Sequence, residues 1–233
     1  GIHIMNGFDA AHLSYGPDLV IVGNAVTCEN PEVKKMKQMG LPYCSMPQAL
    51  NRFFAEDKKT LLVSGTHGKT TTASVLAWML YKVGLDPSFM IGGILQNFDS
   101  NYRLGDGNAF IIEGDEYDTA FFDKGPKFMH FHPAAAVLTS VEFDHADIFR
   151  DLNHVQTVFS RFVAQLRPSS LLVAFDADEN IRRIISEAQC RVQFYGNDVH
   201  SNWCLGDIQI DAPWSVFEVL KSGQRYGRFK TQM

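Results

Sequence analysis

The sequence predicts an α/β fold with a mainly parallel sheet and a small antiparallel portion near the C-terminus. Short apolar runs, typical of buried strands, alternate with helical segments along most of the chain. Strands separated by helices favour a parallel sheet covered on both faces. From Gly206 to Phe229 the pattern changes to closely spaced strands joined through Pro213. A third observation is the turn from Gly65 to Gly68, which has the composition of a phosphate-binding loop.

The N-terminal elements are predicted from apolar patterning and helix-end signals. Asn30 is suited to cap a helix over Pro31 to Met39, since proline is favoured at the first helical position and Gly40 follows the end. A polar link, Asp57 to Lys59, is the first plausible domain boundary. The other predicted elements of this part are a strand over Asp18 to Val22 and a short helix over Pro47 to Ala55.

The central part begins with a strand over Thr60 to Ser64 and a helix over Lys69 to Val83. Helical spacing places one set of apolar residues of that helix on a common face, namely Val75, Leu76, Met79, Leu80 and Val83. Further strands are predicted at Ser88–Ile91, Ala109–Glu113, Ala135–Thr139, Leu171–Phe175 and Val192–Tyr195, and further helices at Leu152–Leu166 and Glu179–Ala188.

Composition limits the classes of function. The chain has 233 residues with a formal net charge of -5, so it lacks the overall basic field of a typical nucleic-acid-binding protein. Its four cysteines are scattered without a C-x-x-C motif, which argues against a zinc ribbon and favours a reducing compartment, the cytoplasm. The sequence contains no apolar run long enough to span a membrane. We therefore expect no nucleic-acid and no membrane partner.

The segment from Gly65 to Thr71, G-T-H-G-K-T-T, is the main candidate for a binding site. It follows a strand and opens a helix, and backbone N–H groups at a helix N-terminus attract anions. Glycines at 65 and 68 would let the backbone approach a phosphate, Lys69 would contact the β- and γ-phosphates, and Thr70 would offer a hydroxyl to Mg²⁺. The general phosphate-loop pattern has a glycine where Val63 stands, so a glycine-rich turn with a solvated lysine is the alternative.

Two acidic stretches follow predicted strands. Glu113 ends an apolar strand, where a carboxylate would face the crevice at the carboxyl edge of the sheet. A solvated acidic loop is the alternative for Glu113 and, equally, for Asp115, Glu116 and Asp118, and four carboxylates so close together call for a cation or a basic partner. His145 follows another strand, in the sequence D-H-A-D. Judged by local chemistry alone, a lone histidine there is more often structural.

Taken together, these three stretches resemble the Mur ligases, the ATP-dependent peptide ligases of peptidoglycan synthesis. The family pattern G-T-x-G-K-[ST]-T accounts for Val63. The resemblance implies an ATP site at Gly65, Thr66, His67, Gly68, Lys69, Thr70 and Thr71, magnesium ligands at Thr70, Glu113 and His145, and catalytic roles for Lys69, Glu113 and His145. It also suggests that Ile91–Asn97 is a loop over the muramyl and phosphate groups, with a Gly-Gly turn as the alternative. Ser140 stands where the family usually has Asn, which leaves the role of this position open.

Within the family, His67 resembles the branch that acts on UDP-N-acetylmuramate. Tyr117 to Lys124 and Glu142 to Phe149 are similar to members that join the tripeptide L-Ala-γ-D-Glu-meso-diaminopimelate to that nucleotide during cell-wall recycling. The resemblance implies that ATP phosphorylates the lactyl carboxylate and that the peptide amine then attacks the acyl phosphate. The alternatives are a ligase for L-alanine, a nucleotide-dependent switch with a similar loop, and an inactive binding fragment.

The resemblance also predicts the domain organisation. Residues 1–55 are similar to the C-terminal part of a Rossmann-like, UDP-binding domain, and residues 56–233 to the central phosphate-loop ATPase domain. The upstream glycine-rich loop of the first domain and the C-terminal peptide-binding domain are not in this sequence, so we expect a partial chain. Within the predicted ATPase domain, His130 and His132 are expected to be structural or surface residues.

Overall fold

The computed structural model of the chain describes residues 2–144 and 148–232. Its α-helices are α1 (Pro31–Gln38), α2 (Met46–Leu50), α3 (Lys69–Lys82), α4 (Leu152–Gln165) and α5 (Glu179–Ile184). Its strands are β1 (Val20–Val22), β2 (Tyr43–Ser45), β3 (Lys59–Ser64), β4 (Ser88–Leu95), β5 (Ser100–Arg103), β6 (Ala109–Gly114), β7 (Asp118–Ala120), β8 (Asp123–Pro126), β9 (Ala135–Leu138), β10 (Leu171–Phe175), β11 (Arg191–Gly196), β12 (Trp203–Asp211), β13 (Trp214–Lys221) and β14 (Gln224–Thr231). Short 3₁₀ turns lie at Ala10–Leu13, Lys127–His130 and Ile185–Glu187, and α2 continues as a π-helical turn, Asn51–Ala55.

The chain divides into two compact units. The first unit comprises the residues up to Lys58 together with Asp115–Phe131, and the second comprises Lys59–Gly114 together with the residues from His132 onward. The sequence prediction places residues 115–131 in the ATPase domain. The contacts of this segment place it in the first unit instead. The assignment of UDP-binding and ATP-binding domains belongs to the proposal below.

The first unit contains two small sheets and one apolar core. β1 pairs in parallel with β2, and β7 pairs antiparallel with β8. Leu13, Val22, Val33 and Met36 form the buried cluster, against which partly buried side chains including Phe121 and Phe122 pack. Asn30 caps α1 as predicted, because its side chain accepts a hydrogen bond from the Glu32 N–H at 2.8 Å.

The second unit is built on a ten-stranded sheet in the order β14-β13-β12-β11-β10-β9-β3-β6-β4-β5. Every pairing from β12 to β4 is parallel, whereas β12 with β13, β13 with β14 and β4 with β5 pair antiparallel. The α/β fold with a mainly parallel sheet is thus confirmed. Since β3, β6, β9 and β10 run in the same direction, the loops that follow them meet at one edge of the sheet.

Two local predictions are wrong. Gly92 and Gly93 do not form a turn or loop, because β4 continues through them to Leu95 and pairs with β5 both before them, at Phe89 and Met90, and after them, at Leu95. The buried face of α3 is also different: Ala73 and Ala77 are fully buried, and Leu76 and Leu80 pack beside them. Met79 and Val83, which were assigned to that face, are 55% and 70% exposed.

The cysteines and helices add two further facts. All four cysteines are free thiols, and burial raises the pKa of the Cys44 and Cys190 thiols, which keeps them protonated at neutral pH. None of the helices within 2–144 and 148–232 combines the length and the apolarity that crossing a membrane would require.

Candidate active site

The loop between β3 and α3 has the backbone conformation of an anion-binding turn. Gly65 has φ 127° and Gly68 has φ 78°, values that L side chains rarely adopt. A Cβ atom at Gly65 would lie 2.8 Å from both the N and the O of Ser140, so only glycine fits there. Val63 is fully buried in the core cluster of this unit, because β3 extends through Ser64 before the loop begins.

Lys69 is the first residue of α3, and its side chain turns back onto the loop. Its ammonium group donates to the carbonyls of Gly65 at 2.6 Å and of Thr66 at 3.1 Å. A positive charge is thus held at the N-terminal end of α3, an arrangement that favours an anion. Gly65, Gly68 and Lys69 lie together in this turn, and their roles in binding phosphate stay predictions.

Thr70 and Glu113 meet at the end of the loop, as they would have to in order to share a cation. The Thr70 hydroxyl donates to Glu113 Oε1 at 2.6 Å, although 42 residues separate the two in sequence. The second carboxylate oxygen, Oε2, accepts from the Gly92 N–H at 2.6 Å. Only 3% of Glu113 is exposed, so these charge-assisted hydrogen bonds offset part of the cost of burying the carboxylate.

The glycines of β4 make this corner possible. A Cβ atom at Gly92 would lie 3.0 Å from Glu113 Oε2, and one at Gly93 would lie 3.0 Å from Thr70 Cγ2. Side chains at these two positions would press on both members of the Thr70–Glu113 pair. Sequence reasoning placed the two glycines in a loop, and the only sequence signal for their packing role was the presence of glycine inside an apolar run.

Residues after β9 hold the loop from the other side. Ser140 accepts the Thr66 N–H through its carbonyl at 2.9 Å and the His67 N–H through its hydroxyl at 3.0 Å. The Thr139 hydroxyl donates to the His67 carbonyl at 2.6 Å. Sequence reasoning left Ser140 open and missed Thr139. Their position at the carboxyl end of the predicted strand Ala135–Thr139 was the available signal, since the ends of parallel strands and the loops after them meet at the same edge.

The remaining predicted residues have different surroundings. Thr66 is buried and exchanges hydrogen bonds with the Glu142 backbone, while His67 is exposed with its imidazole 3.8 Å from the Glu142 carboxylate. Thr71 is exposed on the first turn of α3. His145 lies outside the described residues, so its predicted roles as magnesium ligand and catalytic residue stay predictions. Among all the described residues, those around Glu113 included, no group of three or more His, Cys, Asp or Glu side chains is placed to hold a metal.

The acidic residues beyond Glu113 belong to the first unit and have basic partners there. Asp115 pairs with Lys127 at 3.3 Å, and Asp118 pairs with Lys124 at 2.9 Å. These lysines supply the basic partners that the clustered carboxylates required. Glu116 is buried in the same hairpin segment.

The two nearby histidines divide between the structural and surface roles expected of them. His130 lies 3.0 Å from the Asp123 carboxylate, a contact within the first unit, and His132 is exposed.

Comparisons with known proteins show the family of the chain. The family model described as the Mur ligase middle domain matches residues 63–233, and the model described as the Mur ligase family, catalytic domain, matches residues 1–58. The UDP-N-acetylmuramate--L-alanyl-gamma-D-glutamyl-meso-2,6-diaminoheptandioate ligase of Escherichia coli (strain K12) is 41% identical over 99% of this chain and 50% of its own length. A UDP-N-acetylmuramate--L-alanine ligase of Acetivibrio thermocellus is 33% identical over 97% of this chain and 47% of its own length.

Solved structures of ligases are similar to this chain as well. The UDP-N-acetylmuramate:L-alanyl-gamma-D-glutamyl-meso-diaminopimelate ligase from Neisseria meningitides is similar with a TM-score of 0.89 and 39% identity, over 98% of this chain and 72% of that one. A murein peptide ligase from Psychrobacter arcticus has a TM-score of 0.83 and 30% identity, over 98% of this chain and 50% of that one. The chain spans about half the length of the curated relatives it matches.

Proposed function

The chain belongs to the Mur ligase family, and from that premise we propose that it carries the ATP site of a peptide ligase. The proposed reaction joins L-Ala-γ-D-Glu-meso-diaminopimelate to UDP-N-acetylmuramate, the substrates named for the relatives from Escherichia coli and Haemophilus influenzae. The observation that carries the proposal is the 2.6 Å contact between Thr70 and Glu113 beside the phosphate-type loop.

The loop from Gly65 to Thr71 would bind the phosphates of ATP. Its positive-φ glycines would let the backbone approach the phosphates closely, and the N-terminal end of α3 would attract their negative charge. Lys69 would exchange its two carbonyl contacts in the loop for the β- and γ-phosphates. This chain's own groups therefore position the phosphates and neutralise their charge.

The donor set at Thr70 and Glu113 fits Mg²⁺. A hydroxyl and a carboxylate are hard oxygen ligands, and magnesium in phosphate sites is held by one or two such groups together with phosphate oxygens and water. Magnesium, when bound, would supply positive charge to the transferring phosphoryl group. We assign Thr70 and Glu113 as its protein ligands, and His145 as a further ligand on the basis of the family resemblance.

The proposed chemistry activates a carboxylate. The γ-phosphoryl group passes from ATP to the lactyl carboxylate of UDP-N-acetylmuramate, and the peptide amine displaces phosphate to form the amide. Phosphoryl transfer needs positioning and charge neutralisation more than covalent participation by the protein. Lys69 would neutralise phosphate charge directly and Glu113 would do so by holding Mg²⁺, while the contacts from Thr139 and Ser140 hold the loop in place.

The first part of the chain would contribute to binding the UDP moiety. We assign residues 1–55 to the UDP-binding domain and residues 56–233 to the ATP-binding domain, in line with family-model matches that end at residue 58 and begin at residue 63. The hairpin segment 115–131 packs in the first unit, whereas this assignment places it in the ATP-binding domain. A ligase acting on nucleotide-linked precursors would work in the cytoplasm.

Replacing Lys69 with alanine tests the proposal. In the complete open reading frame containing these residues, we expect Lys69→Ala to abolish formation of ADP and acyl phosphate from ATP and UDP-N-acetylmuramate. Lys82→Ala is the matched control, because Lys82 lies exposed in the last turn of the same helix, with its ammonium 5.3 Å from the Trp78 ring centre. Turnover by Lys69→Ala at the rate of the wild type would contradict the assignment.

The amine substrate distinguishes the proposed ligase from the alternative, a ligase for L-alanine. That alternative is tested because the chain is 33% identical to an L-alanine ligase. Product formation with the tripeptide but not with L-alanine supports the proposed function, and the reverse result supports the alternative. ATP hydrolysis that does not depend on either substrate would instead favour a nucleotide-dependent switch. Nucleotide binding without turnover would favour a binding fragment.

A further inference from the structure

The peptide groups around Val141 are held by two side chains at the start of α5. Val141 is fully buried, and its backbone has left the β9 ladder, which ends at Leu138. The Val141 N–H donates to Asp178 Oδ2 at 2.7 Å, and the Val141 carbonyl accepts from the Asn180 amide at 2.7 Å. Buried backbone groups outside a sheet need such partners, since an unpaired N–H or C=O group away from water destabilises the fold.

The same short segment is in direct contact with the phosphate-type loop. Ser140, the neighbour of Val141, accepts the N–H groups of Thr66 and His67 at 2.9 and 3.0 Å. Glu142, the neighbour on the other side, donates its N–H to the Thr66 hydroxyl at 2.9 Å. The residues that fix Val141 therefore also determine where the acceptors for two loop N–H groups lie.

We infer that Asp178 and Asn180 are positioning residues for the nucleotide phosphates, acting through Val141 and Ser140 on the loop at 65–68. This inference rests on the proposed function, because it takes the loop at 65–68 to be the binding site for the phosphates of ATP. Neither side chain is assigned a contact with substrate; each sets the position of a backbone segment that in turn sets the loop.

Two further contacts make these side chains rigid. Asp178 Oδ1 caps α5 by accepting the N–H groups of Asn180 and Ile181 at 2.8 and 3.2 Å, which leaves Oδ2 for Val141. The Asn180 side-chain oxygen accepts from the Gln156 amide of α4 at 2.7 Å, so its NH₂ group faces Val141. Both positioning groups are thus held in one rotamer before any ligand binds.

The sheet itself does not need these contacts. β9 and β10 already pair in parallel from Ala135 with Leu171 to Leu138 with Ala174. The hydrogen bonds from Asp178 and Asn180 lie beyond that ladder, at the edge where the site is. Their loss is expected to change the geometry of the loop more than the stability of the fold.

Two variants separate positioning from folding. Asn180→Asp keeps the size and the acceptor for Gln156 but removes the amide donor to Val141. Asp178→Ser keeps an oxygen that caps α5 but leaves no second acceptor for the Val141 N–H. In the complete reading frame, we expect either change to raise the Kd for Mg²⁺-ADP, measured by calorimetry, and the KM for ATP by about tenfold. The KM for UDP-N-acetylmuramate should stay within about twofold.

Ser170→Ala is the matched control. Ser170 is buried and its hydroxyl donates to the Pro133 carbonyl at 2.7 Å, which links the segments before β9 and β10 at the opposite edge of the same sheet. We expect this variant to lose thermal stability like the other two but to bind Mg²⁺-ADP as the wild type does. A double variant of Asn180→Asp with Ser140→Ala should weaken binding by less than the product of the two single effects.

The outcomes are distinguishable. Wild-type affinity in both Asn180→Asp and Asp178→Ser would overturn the inference and leave the proposed function standing. An equal loss of affinity in Ser170→Ala would also overturn it, because the effect would then be one of general stability. Failure of the wild-type protein to bind Mg²⁺-ADP would overturn the proposed function and this inference with it.

Discussion

Glu113 shows how hydrogen bonds can hold one buried carboxylate in a fixed orientation. One of its oxygens accepts from the Thr70 hydroxyl and the other from the Gly92 N–H, both at 2.6 Å. Hydrogen bonds from donors to an ionised oxygen are stronger than those between neutral groups, and they fix both the position and the rotation of the carboxylate. The side chain is therefore oriented toward the end of the loop before a cation arrives.

Replacing Glu113 with glutamine, which has nearly the same shape but no charge, should separate the effect of the charge from that of the shape. We expect Glu113→Gln to fold like the wild type but to lose Mg²⁺-dependent ATP turnover by about 100-fold or more, because an amide is a poor ligand for a hard cation. The measurement is ADP release as a function of Mg²⁺ concentration, with the melting temperature as the test of folding.

Asp115→Asn is the control for Glu113→Gln. Asp115 lies two residues further on and pairs with Lys127 in the first unit. A partly exposed ion pair of this kind contributes about 1 kcal/mol or less, so turnover should stay within about threefold of the wild type. Equal losses of turnover in the two variants would mean that the acidic segment acts as a whole and that Glu113 has no special role.

The parts of the site that sequence predicted are those that local rules determine. The loop, Lys69 and Glu113 each follow from the end of a strand and the start of a helix. Thr139, Ser140 and Gly92 could not be assigned in the same way, because their roles depend on which strands are neighbours in the sheet. The order β9-β3-β6 brings them to the loop, and strand order is not encoded in a local pattern.

At the scale of elements, the buried face of α3 was predicted wrongly because the prediction considered only the larger apolar residues. Ala73 and Ala77 are fully buried in the core cluster that includes Val63, Phe89 and Ile111. Small side chains let a helix pack close to a sheet, but alanine carries a weak hydrophobic signal in a sequence. The larger Met79 and Val83 dominated the predicted face, although both are exposed.

Enlarging one of these alanines should be costly. We expect Ala77→Leu to lower the free energy of unfolding by about 1–3 kcal/mol, since there is no room for a larger side chain between α3 and the strands. Met79→Leu, on the exposed side of the same helix, should stay within about 0.5 kcal/mol. Urea denaturation of the two variants measures the difference, and equal stability would restore the face predicted from sequence.

β4 makes a related point about strands. Glycines weaken a strand, so Gly92 and Gly93 favoured a turn in the sequence. In the structure the strand continues because its pairing with β5 and the burial of Leu95 compensate. The glycines are required there by the close approach of Glu113 and Thr70, which is a tertiary constraint.

At the scale of the whole molecule, the first unit is discontinuous in sequence. Phe121 and Phe122, at the tip of the β7–β8 hairpin, pack against the core formed by Leu13, Val22, Val33 and Met36. Tyr43 contacts Phe122 edge-on with ring centres 4.9 Å apart, and Lys37 lies over the Phe121 ring at 4.8 Å. No pattern within 115–131 identified this partner, because the contacts span about 80 residues of sequence. Because the two sequence segments share one core, we expect them to unfold locally together.

A cavity in the first core should loosen both of its sequence segments together. Met36 is 1% exposed, and we expect Met36→Ala to cost roughly 2–5 kcal/mol. Amide hydrogen exchange followed by mass spectrometry should then speed up in residues 20–45 and also in 115–131, while β3, β6 and β9 keep their protection. Ile111→Ala, a cavity in the core of the second unit, is the matched control and should leave 20–45 and 115–131 unchanged. If Met36→Ala accelerates exchange only near its own position in sequence, the hairpin segment opens independently and the two segments are not one cooperative unit.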